Sequence, residues 1–391
     1  MNHLKKPLPV VIPLISWAWV FGGELKLSPI YTDNMVVQRD HPVVLLGTAE
    51  PGEKIAADFA GGKSQAVADA KGAFRIQLPA RKADKQGRVL TLQSGGKMIE
   101  LKEVLVGDVW LCAGQSNMEF DMQRLNIADE ARTENRPLIR RIKFKETFQP
   151  FPVDPMQVVV TGAWQAGTPQ TIATWTATGY YFARSIQDRN PDVPLGLYEC
   201  AYSGSPIECW IPMETWADFP TLKEGAEVAN RRKDPGLSNS GDREAWRMPS
   251  GMYNAMMQCL TATPVAGAIW YQGEGNAGQA DYAIKMQAMV SGWRKAWGID
   301  FPFYYVQLAG YMAPHFVPHT SSLTPRPSHL VPHTSSVTLR PPHFVPHTSS
   351  LTLRRVRLVE LLGRSLLSRR SSGTTKCKRL SVCNQTYPKP P

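Results

Sequence analysis

One serine has a placement that suits nucleophilic chemistry. The apolar residues 104–112 predict a buried strand, which runs directly into the sequence Gly114-Gln115-Ser116. A serine on the tight turn after a central strand is presented at the edge of the sheet where ligands bind. Attack on an ester carbonyl needs a nucleophile that is held in this rigid way. Ser116 is therefore the candidate nucleophile of an ester-cleaving site.

The sequence offers no clear base for this serine. A serine hydroxyl is a weak nucleophile at neutral pH and needs a histidine within hydrogen-bond reach to accept its proton. None of the eight histidines lies between residues 104 and 312. His3 is near the N-terminus and His41 lies in a predicted turn, whereas the others lie in a repeated segment, at His315, His319, His329, His333, His343 and His347. The general base is therefore unknown from the sequence.

Strands and helices alternate after residue 104, which is the order that builds an α/β fold with a doubly wound, mostly parallel sheet. Predicted strands cover residues 104–112, 194–200, 265–271 and 301–308. Predicted helices cover residues 180–189, 251–260 and 282–297. Ligands of such a sheet bind beyond the carboxyl ends of the strands, and Ser116 directly follows one of these ends.

Residues 24–103 show a different rhythm, with short strands separated by turn signals. Apolar stretches at residues 25–27, 43–46, 74–78 and 89–92 alternate with clusters such as Pro51-Gly52 and Gly61-Gly62. This pattern predicts a small all-β domain built as a sandwich. We therefore expect a domain boundary between residues 103 and 104, with the α/β domain covering residues 104–312.

The N-terminal residues 1–23 have the order of an export signal. A basic start, Met1 to Lys6, is followed by an apolar run from Pro7 to Gly22. This run is shorter than the about 20 residues of a bilayer-spanning helix. We therefore expect a secreted or periplasmic protein that has no membrane contact after processing. The alternatives for this segment are a buried first strand and an irregular tail.

The net charge of +11 does not indicate a nucleic-acid partner, because the charge is concentrated in the tail. Residues 313–391 contain 12 Lys/Arg and one acid, Glu360, which leaves 44 − 12 = 32 basic and 33 − 1 = 32 acidic residues before them. A neutral body gives no reason to expect a phosphate-binding face. No cysteine pair has the spacing of zinc ligands, and Cys200 and Cys209 are expected either to pair or to remain buried thiols.

The C-terminal residues 313–391 differ in character from the rest of the chain. Residues 315–328, 329–342 and 343–356 are three copies of one 14-residue unit, each with prolines and no apolar periodicity. The residues that follow are rich in Arg, Ser and Lys. This composition predicts a disordered, basic low-complexity tail that makes little contact with the folded body.

Several sequence blocks together resemble a known family. Residues 107–119 (GDVWLCAGQSNME) resemble the nucleophile block of sialate O-acetylesterases, which belong to the wider class of SGNH hydrolases. Residues 206–210 (PIECW) and 269–277 (IWYQGEGNA) resemble two further blocks of that family, and residues 32–39 and 301–308 also fit. The resemblance covers about residues 24–312.

The resemblance implies removal of O-acetyl groups from sialic acid or related sugars and glycans, with no metal and no organic cofactor. It assigns the oxyanion donors to the amide of Ser116, the amide of Gly204 and the side chain of Asn276. Gln115 and Glu274 are further candidates for supporting roles. The chain departs from the family pattern at Ser203, where a glycine is usual, and at Gly275, where a serine is usual.

The largest departure concerns the base. In this family the base comes from an Asp-x-x-His block near the C-terminus, whereas residues 313–391 contain no aspartate. The sequence therefore predicts an impaired esterase. One alternative is a non-catalytic carbohydrate-binding protein that keeps the pocket. Another is the product of a disrupted reading frame in which unrelated sequence replaces the end of the domain.

Overall fold

The computed structural model describes residues 23–125, 133–236 and 245–308, together with the backbone of Leu339–Arg340. The predicted export signal and almost all of the predicted disordered tail lie outside these described residues. Residues 23–125, 133–236 and 245–308 contain both the all-β region and the α/β region.

The N-terminal region consists of two small sheets with a common apolar core. One sheet has the strand order β1-β3-β6, and in the other β5, β4, β7 and β8 pair antiparallel while β2 adds parallel to β8. Side chains of β6 alternate between buried and exposed, as expected when one face of a sheet covers a core. The bounds are β1 Lys26–Leu27, β2 Val36–Gln38, β3 Val43–Thr48, β4 Lys54–Phe59, β5 Gly62–Val67, β6 Ala73–Leu78, β7 Asp84–Ser94 and β8 Lys97–Gly114. This arrangement is consistent with the predicted sandwich.

Strand β8 joins the two regions of the molecule. It is 18 residues long, and its first half pairs with β7 while its second half pairs with β11 and β12. The boundary expected between residues 103 and 104 therefore falls inside one continuous strand. Glu103 has a φ of 55°, which marks an irregularity at that point.

The second region is a mixed sheet with helices, of the α/β class. Its strand order is β10-β9-β11-β8-β12-β13-β14, with β9, β11, β8, β12 and β13 parallel and the two outer strands antiparallel. The remaining strands are β9 Arg136–Lys143, β10 Gln165–Gly167, β11 Leu195–Ala201, β12 Gly267–Tyr271, β13 Phe303–Val306 and β14 Leu339–Arg340. The described α-helices are α1 Ser116–Glu119, α2 Pro169–Ile172, α3 Ala177–Gln187, α4 Glu224–Lys233 and α5 Tyr282–Trp297.

Helices cover both faces of the parallel strands. Trp110 of β8 packs in one core cluster with Phe182 of α3, whereas its neighbour Leu111 belongs to the other cluster, which contains Trp293 of α5. Because successive side chains of a strand point to opposite faces, α3 and α5 lie on opposite sides of the sheet. All seven residues of β11 are buried, which is typical of a central parallel strand.

Two elements differ from their predictions. Residues 251–260, predicted as a regular α-helix, contain a π-helical segment, Tyr253–Met257, followed by the 3₁₀ turn Gln258–Leu260. The short strand Leu339–Arg340 lies in the repeat segment and pairs with β13, so these two residues of the predicted mobile tail do contact the sheet.

Candidate active site

Ser116 lies directly after the end of the central strand. Strand β8 ends at Gly114, Gln115 precedes the helix, and Ser116 is the exposed first residue of the short helix α1. Gly114 has a φ of 146°, and a Cβ atom there would collide with the carbonyl of Tyr271. This position therefore requires glycine, and the sharp turn that it permits presents the serine hydroxyl at the sheet edge.

The loop after β11 lies beside this turn. The amide of Tyr202 donates to the carbonyl of Gly114 at 3.0 Å, which fixes the start of the loop against the end of β8. Gly204, two residues further on, has a φ of 74°, which glycine adopts without strain. An added Cβ on Gly275 would lie 3.3 Å from the carbonyl oxygen of Gly204, so the loops after β11 and β12 are in contact.

The structure therefore brings the predicted site residues to one edge. Gln115, which precedes the candidate nucleophile, accepts a hydrogen bond from the amide of Gly275 at 3.1 Å. Gly275 in turn precedes Asn276 and touches the loop of Gly204. This placement follows from the parallel strands β8, β11 and β12, whose carboxyl ends meet at the same edge. The chemical roles of these residues stay predictions.

The side chain of Asn276 is fully engaged in hydrogen bonds. Its Oδ1 accepts from the amide of Ile207 at 2.8 Å and from Nε2 of Gln272 at 2.7 Å. Its Nδ2 donates to Oε2 of Glu208 at 2.8 Å and to Oε1 of Gln279 at 2.9 Å. The backbone donor fixes which end of the amide is the oxygen. Asn276 is also buried, so in this arrangement it connects the two loops.

A buried lysine stabilises this connection through its contact with Glu208. Nζ of Lys285, on α5, lies 2.5 Å from Oε1 of Glu208, 2.9 Å from Oε1 of Glu224 and 3.0 Å from Oδ2 of Asp281. Burial opposes the charge of Lys285, but the hydrogen bonds to these carboxylates outweigh it and raise its pKa. We call Asn276, Glu208 and Lys285 the buried clamp. Lys285 was not predicted from the sequence, and neither was a role for Glu208.

Gln115 has a different hydrogen-bond arrangement from Asn276. Its Oε1 accepts from the amides of Gly275, at 3.1 Å, and Gly273, at 3.4 Å, so the orientation of its amide is also fixed. Its Nε2 has no hydrogen-bond partner in the described part of the chain and is not one of the buried polar atoms that lack a partner. Gln115 is buried, and its Nε2 therefore remains an uncommitted donor beside Ser116.

Glu274, the other predicted supporting residue, contacts the helix of the nucleophile. Its Oε1 accepts a hydrogen bond from Nδ2 of Asn117, the residue after Ser116. Its Oε2 is buried and has no hydrogen-bond partner among residues 23–125, 133–236 and 245–308. The side chain thus holds α1 against the loop after β12, while its second oxygen is buried without a partner among the described residues.

A pair of carboxyl groups lies on the other side of α1. Glu119 accepts a hydrogen bond from Oγ of Ser203 at 2.9 Å and shares a further hydrogen bond with Glu146. Burial, together with the hydrogen bond and charge of Glu119, raises the pKa of Glu146 to about 7. Burial acts in the same direction on Glu119, but hydrogen bonds from Glu146 and Ser203 and the charge of Lys143 outweigh it and lower its pKa. This pair was not predicted from the sequence.

Aromatic side chains line the loop that carries Gly204. The rings of Tyr202 and Trp246 stack with centroids 5.7 Å apart and an interplanar angle of 12°. A Cβ atom on Gly204 would lie 3.4 Å from the indole of Trp246. The guanidinium of Arg247 lies 5.3 Å from the centre of the same indole. Both rings are partly exposed, and we call the surface that Tyr202 and Trp246 form next to the predicted oxyanion loop the aromatic wall.

His41, the one histidine in the described part of the chain, is remote from this edge. It lies in the turn between β2 and β3, and β2 pairs with Gly107 of β8. The stretch from Gly107 to Gly114 is roughly 20 Å long, at about 3.3 Å per residue. His41 therefore lies beside the middle of β8, far from the end that carries Ser116, and does not act as its base in this arrangement.

Three further properties concern only the described residues. No group of His, Cys, Asp and Glu side chains there has the arrangement of a metal site. No helix there is both long and apolar enough to cross a bilayer. Cys200 and Cys209 are free buried thiols, as are Cys112 and Cys259.

Comparison with known proteins identifies the family. The family described as carbohydrate esterase, sialic acid-specific acetylesterase matches residues 106–232 and 236–338, which is more than half of the chain. The serine at the end of the central strand lies within the matched residues. The chain belongs to this family of carbohydrate esterases.

Individual relatives agree with this assignment. The chain is 25% identical to the sialate O-acetylesterases of Pongo abelii, over 330 residues, and of Homo sapiens, over 336 residues. Each match covers 77% of this chain but only 61% of the relative. The crystal structure of a carbohydrate acetylesterase from Xanthomonas citri is 31% identical, with a TM-score of 0.63, and the match covers 73% of this chain and 61% of that one. The chain thus spans less than two thirds of the length of these relatives.

Proposed function

We propose that this protein is a serine-dependent carboxylic ester hydrolase that removes O-acetyl groups from sialic acid or a related sugar. The observation that carries the proposal is the position of Ser116, exposed at the carboxyl end of β8 and tied to the loop after β12 through Gln115. Family membership supports the reaction class. The relatives named sialate O-acetylesterase support the sugar.

In the proposed reaction, Oγ of Ser116 attacks the acetyl carbonyl carbon and the sugar hydroxyl leaves, so an acetyl-serine forms. Water then attacks this second ester, which releases acetate and restores the serine. Negative charge develops on the carbonyl oxygen in both steps and needs preorganised donors. The backbone amides of Ser116 and Gly204 lie at the correct edge of the sheet for this role.

The side chain that donates to the oxyanion is harder to assign than the resemblance implied. Asn276 would have to give up a hydrogen bond to buried Glu208 or to Gln279 before it could donate to an oxyanion. Leaving such a buried acceptor unpaired costs roughly 1–3 kcal/mol. Gln115 can donate at no such cost, since its Nε2 is uncommitted. We therefore include Gln115 beside Asn276 as a donor in the proposed mechanism.

The aromatic wall of Tyr202 and Trp246 supports a carbohydrate substrate. Pyranose rings carry one apolar face of C–H groups, which packs well on an aromatic ring. The wall adjoins Gly204, so a sugar resting on it would place an acetyl group near Ser116. The order of residues 1–23 supports a secreted or periplasmic location, where free and polymer-bound acetylated sugars are accessible.

We further propose that the chain as it stands turns over slowly, because Ser116 lacks a histidine base in the described residues. A non-catalytic carbohydrate-binding protein is the second candidate, and the same observation favours it. Loss of the histidine from a serine triad removes about six orders of magnitude in turnover, while roughly 10³- to 10⁴-fold over water remains from the rest of the site.

One set of assays separates these possibilities. Acetyl release from an O-acetylated sialic acid is compared for the unaltered chain, for Ser116→Ala, and for a version whose residues 313–391 are replaced by an Asp-x-x-His-containing end. We expect feeble release by the unaltered chain, a large gain in the replaced version, and loss of that gain when Ser116→Ala is added. Turnover of the unaltered chain near about 10 per second would contradict the proposed impairment. Sugar binding without any gain in hydrolysis would favour the binding protein.

A further inference from the structure

Ser203 makes a hydrogen bond that the glycine usual in the family cannot make. Its Oγ donates to Oε2 of Glu119 at 2.9 Å. Ser203 directly precedes Gly204 in the loop after β11, and Glu119 is the last residue of α1, which begins with Ser116. One side-chain bond therefore joins the loop of the proposed oxyanion glycine to the helix of the proposed nucleophile.

Glu119, the acceptor of this bond, lies beside a second carboxyl group, that of Glu146. The carboxyl groups of Glu119 and Glu146 lie close enough to act on each other's pKa, and a hydrogen bond between them can form only while one of the two is protonated. Lys143 stabilises the one negative charge that remains on the pair, because its Nζ lies 3.9 Å from Oε1 of Glu119. The same lysine lies 3.6 Å from Oε1 of the buried Glu199.

Charged and titratable groups of the neighbouring elements face this pair, and the charge of Glu146 also acts on the hydroxyl of Tyr202 in the loop after β11. Lys143 ends β9 and Glu199 belongs to β11, while Arg124 follows α1 and acts on Glu119 as a second cation. Glu199 raises the pKa of Glu146 further, after burial and Glu119, whereas Lys143 opposes the rise. The two cations stabilise one negative charge on the pair. A second charge on Glu146 would lie directly against the first.

We propose that Ser203 is a positioning residue: its hydroxyl, held by Glu119, fixes the Gly204 loop relative to Ser116, and loss of the proton shared by Glu119 and Glu146 weakens this link. The inference rests on the proposed role of Ser116 as nucleophile. When the proton leaves to solvent, two carboxylates repel each other and Glu119 is no longer fixed where Ser203 donates. The backbone amide of Gly204 then loses part of its alignment.

The test uses a reaction that needs the oxyanion donors but not turnover. An alkyl fluorophosphonate is attacked at phosphorus by Oγ of Ser116, a P–O bond forms, fluoride leaves and the serine proton goes to the buffer. The phosphoryl oxygen of the adduct takes the place of the ester oxyanion. Intact-mass spectrometry gives the labelling rate between about pH 5.5 and about pH 8.5, a range that spans the titration of the acid pair.

We expect Ser203→Ala to label roughly tenfold more slowly than the unaltered chain at about pH 6, the effect of one hydrogen bond to a charged acceptor. This ratio should fall towards one above about pH 7.5, because the unaltered chain loses the same link there. Ser203→Thr, which keeps a hydroxyl, should restore the rate. In a Glu146→Gln background the amide donates to Glu119 at every pH, so the ratio should stay near tenfold throughout.

Three results discriminate between the outcomes. Ser291→Ala, on the exposed face of α5, is the matched control and should label like the unaltered chain. A Ser203→Ala labelling rate equal to that of the unaltered chain at about pH 6 would overturn the inference. A ratio of the two rates that does not change with pH would also overturn it, because a merely structural role would lower the melting temperature without this pH dependence. Absence of labelling at Ser116, with intact circular dichroism, both in the unaltered chain and in the version with an Asp-x-x-His-containing end would contradict the proposed function itself, and this inference with it.

Discussion

The sheet edge that carries Ser116 and the buried clamp beneath it differ in how completely their polar atoms are hydrogen bonded. At the edge, the serine hydroxyl and Nε2 of Gln115 have no partner among the described residues. In the clamp, every donor and acceptor of the Asn276 amide is used, and Lys285 contacts three carboxylates. Groups that react must be held by their neighbours and yet keep one atom free, whereas groups that fix loops must be fully satisfied.

This comparison predicts that mutations in the clamp affect stability and that mutations at the edge affect reactivity. The largest effect is expected for Lys285→Met, which leaves three carboxylates without their shared cation. Removing one partner of a buried ion pair costs about 3–5 kcal/mol. We expect a loss of this size in the free energy of unfolding, measured by urea denaturation.

The matched control is Lys295→Met, on the same helix. Lys295 forms an ion pair with Asp218 in which both side chains are more than half exposed. Such surface pairs contribute about 0–1 kcal/mol. Equal losses of stability for the two variants would show that Lys285 is no more important than a surface lysine, and the clamp would then not be a separate unit.

The second prediction concerns Gln115→Glu. The carboxylate keeps an oxygen for the amides of Gly273 and Gly275, so the fold should be retained, but the N–H donor beside Ser116 is lost. Removing one oxyanion donor costs about 10²- to 10³-fold in rate. We expect fluorophosphonate labelling of Ser116 to slow by roughly this factor, while circular dichroism shows that the fold is retained.

The exposed residue Gln93 provides the control for this change, since Gln93→Glu adds the same charge on the N-terminal sheet. Its labelling rate should match that of the unaltered chain. If Gln115→Glu labels at the normal rate while Asn276→Ala does not, Gln115 is not the oxyanion donor and Asn276 is, as the resemblance implied.

The third prediction tests whether the aromatic wall belongs to the edge. Trp246→Leu removes the ring that stacks on Tyr202 but keeps an apolar side chain. Aromatic contacts contribute about 0.5–1.5 kcal/mol beyond area burial. We expect the Kd for an O-acetylated sialic acid, measured by calorimetry, to rise by up to about tenfold. Labelling of Ser116 by a small fluorophosphonate should not change, because that probe carries no sugar.

Much of the fold could be predicted from the sequence because the buried parallel strands are continuous apolar runs. The helix Tyr282–Trp297 has the predicted bounds, and β8, β11, β12 and β13 lie within or around their predicted segments. Strand β9 was missed because it contains Arg140 and Arg141, which are buried in the structure. Arg141 pairs with Glu199 of β11 at 2.8 Å, a contact that no local pattern can reveal.

The candidate site was predictable to the same degree. Placement of Ser116, Gly204 and Asn276 at one edge follows from where strands end, which sequence patterns report. The partners of Asn276 were not predictable, because Glu208 is 68 residues away and Lys285 reaches Glu208 across 77 residues. Likewise, nothing local indicated that Glu119, at the end of the nucleophile block, would meet Glu146.

The smallest predicted effect concerns the one part of the edge that resembles the clamp, the Glu119–Glu146 pair. Glu146 has a pKa of about 7 in the folded protein against 4.5 as its ordinary value, so the folded state binds the proton more tightly. Its contribution to stability is therefore complete below about pH 4.5 and is lost as the pH rises through about 7. Since Glu146 is only partly buried, screening by solvent reduces the loss to about 1 kcal/mol.

Glu146→Gln removes this titration and keeps the hydrogen bond to Glu119. The melting temperature of the unaltered chain should thus fall by about 2–4 °C relative to that of the variant between about pH 5 and about pH 8. Below about pH 4.5 the two curves should run parallel, because both side chains at position 146 are then neutral. Parallel curves over the whole range would mean that Glu119 and Glu146 titrate independently, and the edge would then contain no satisfied ionisable pair of the kind that defines the clamp.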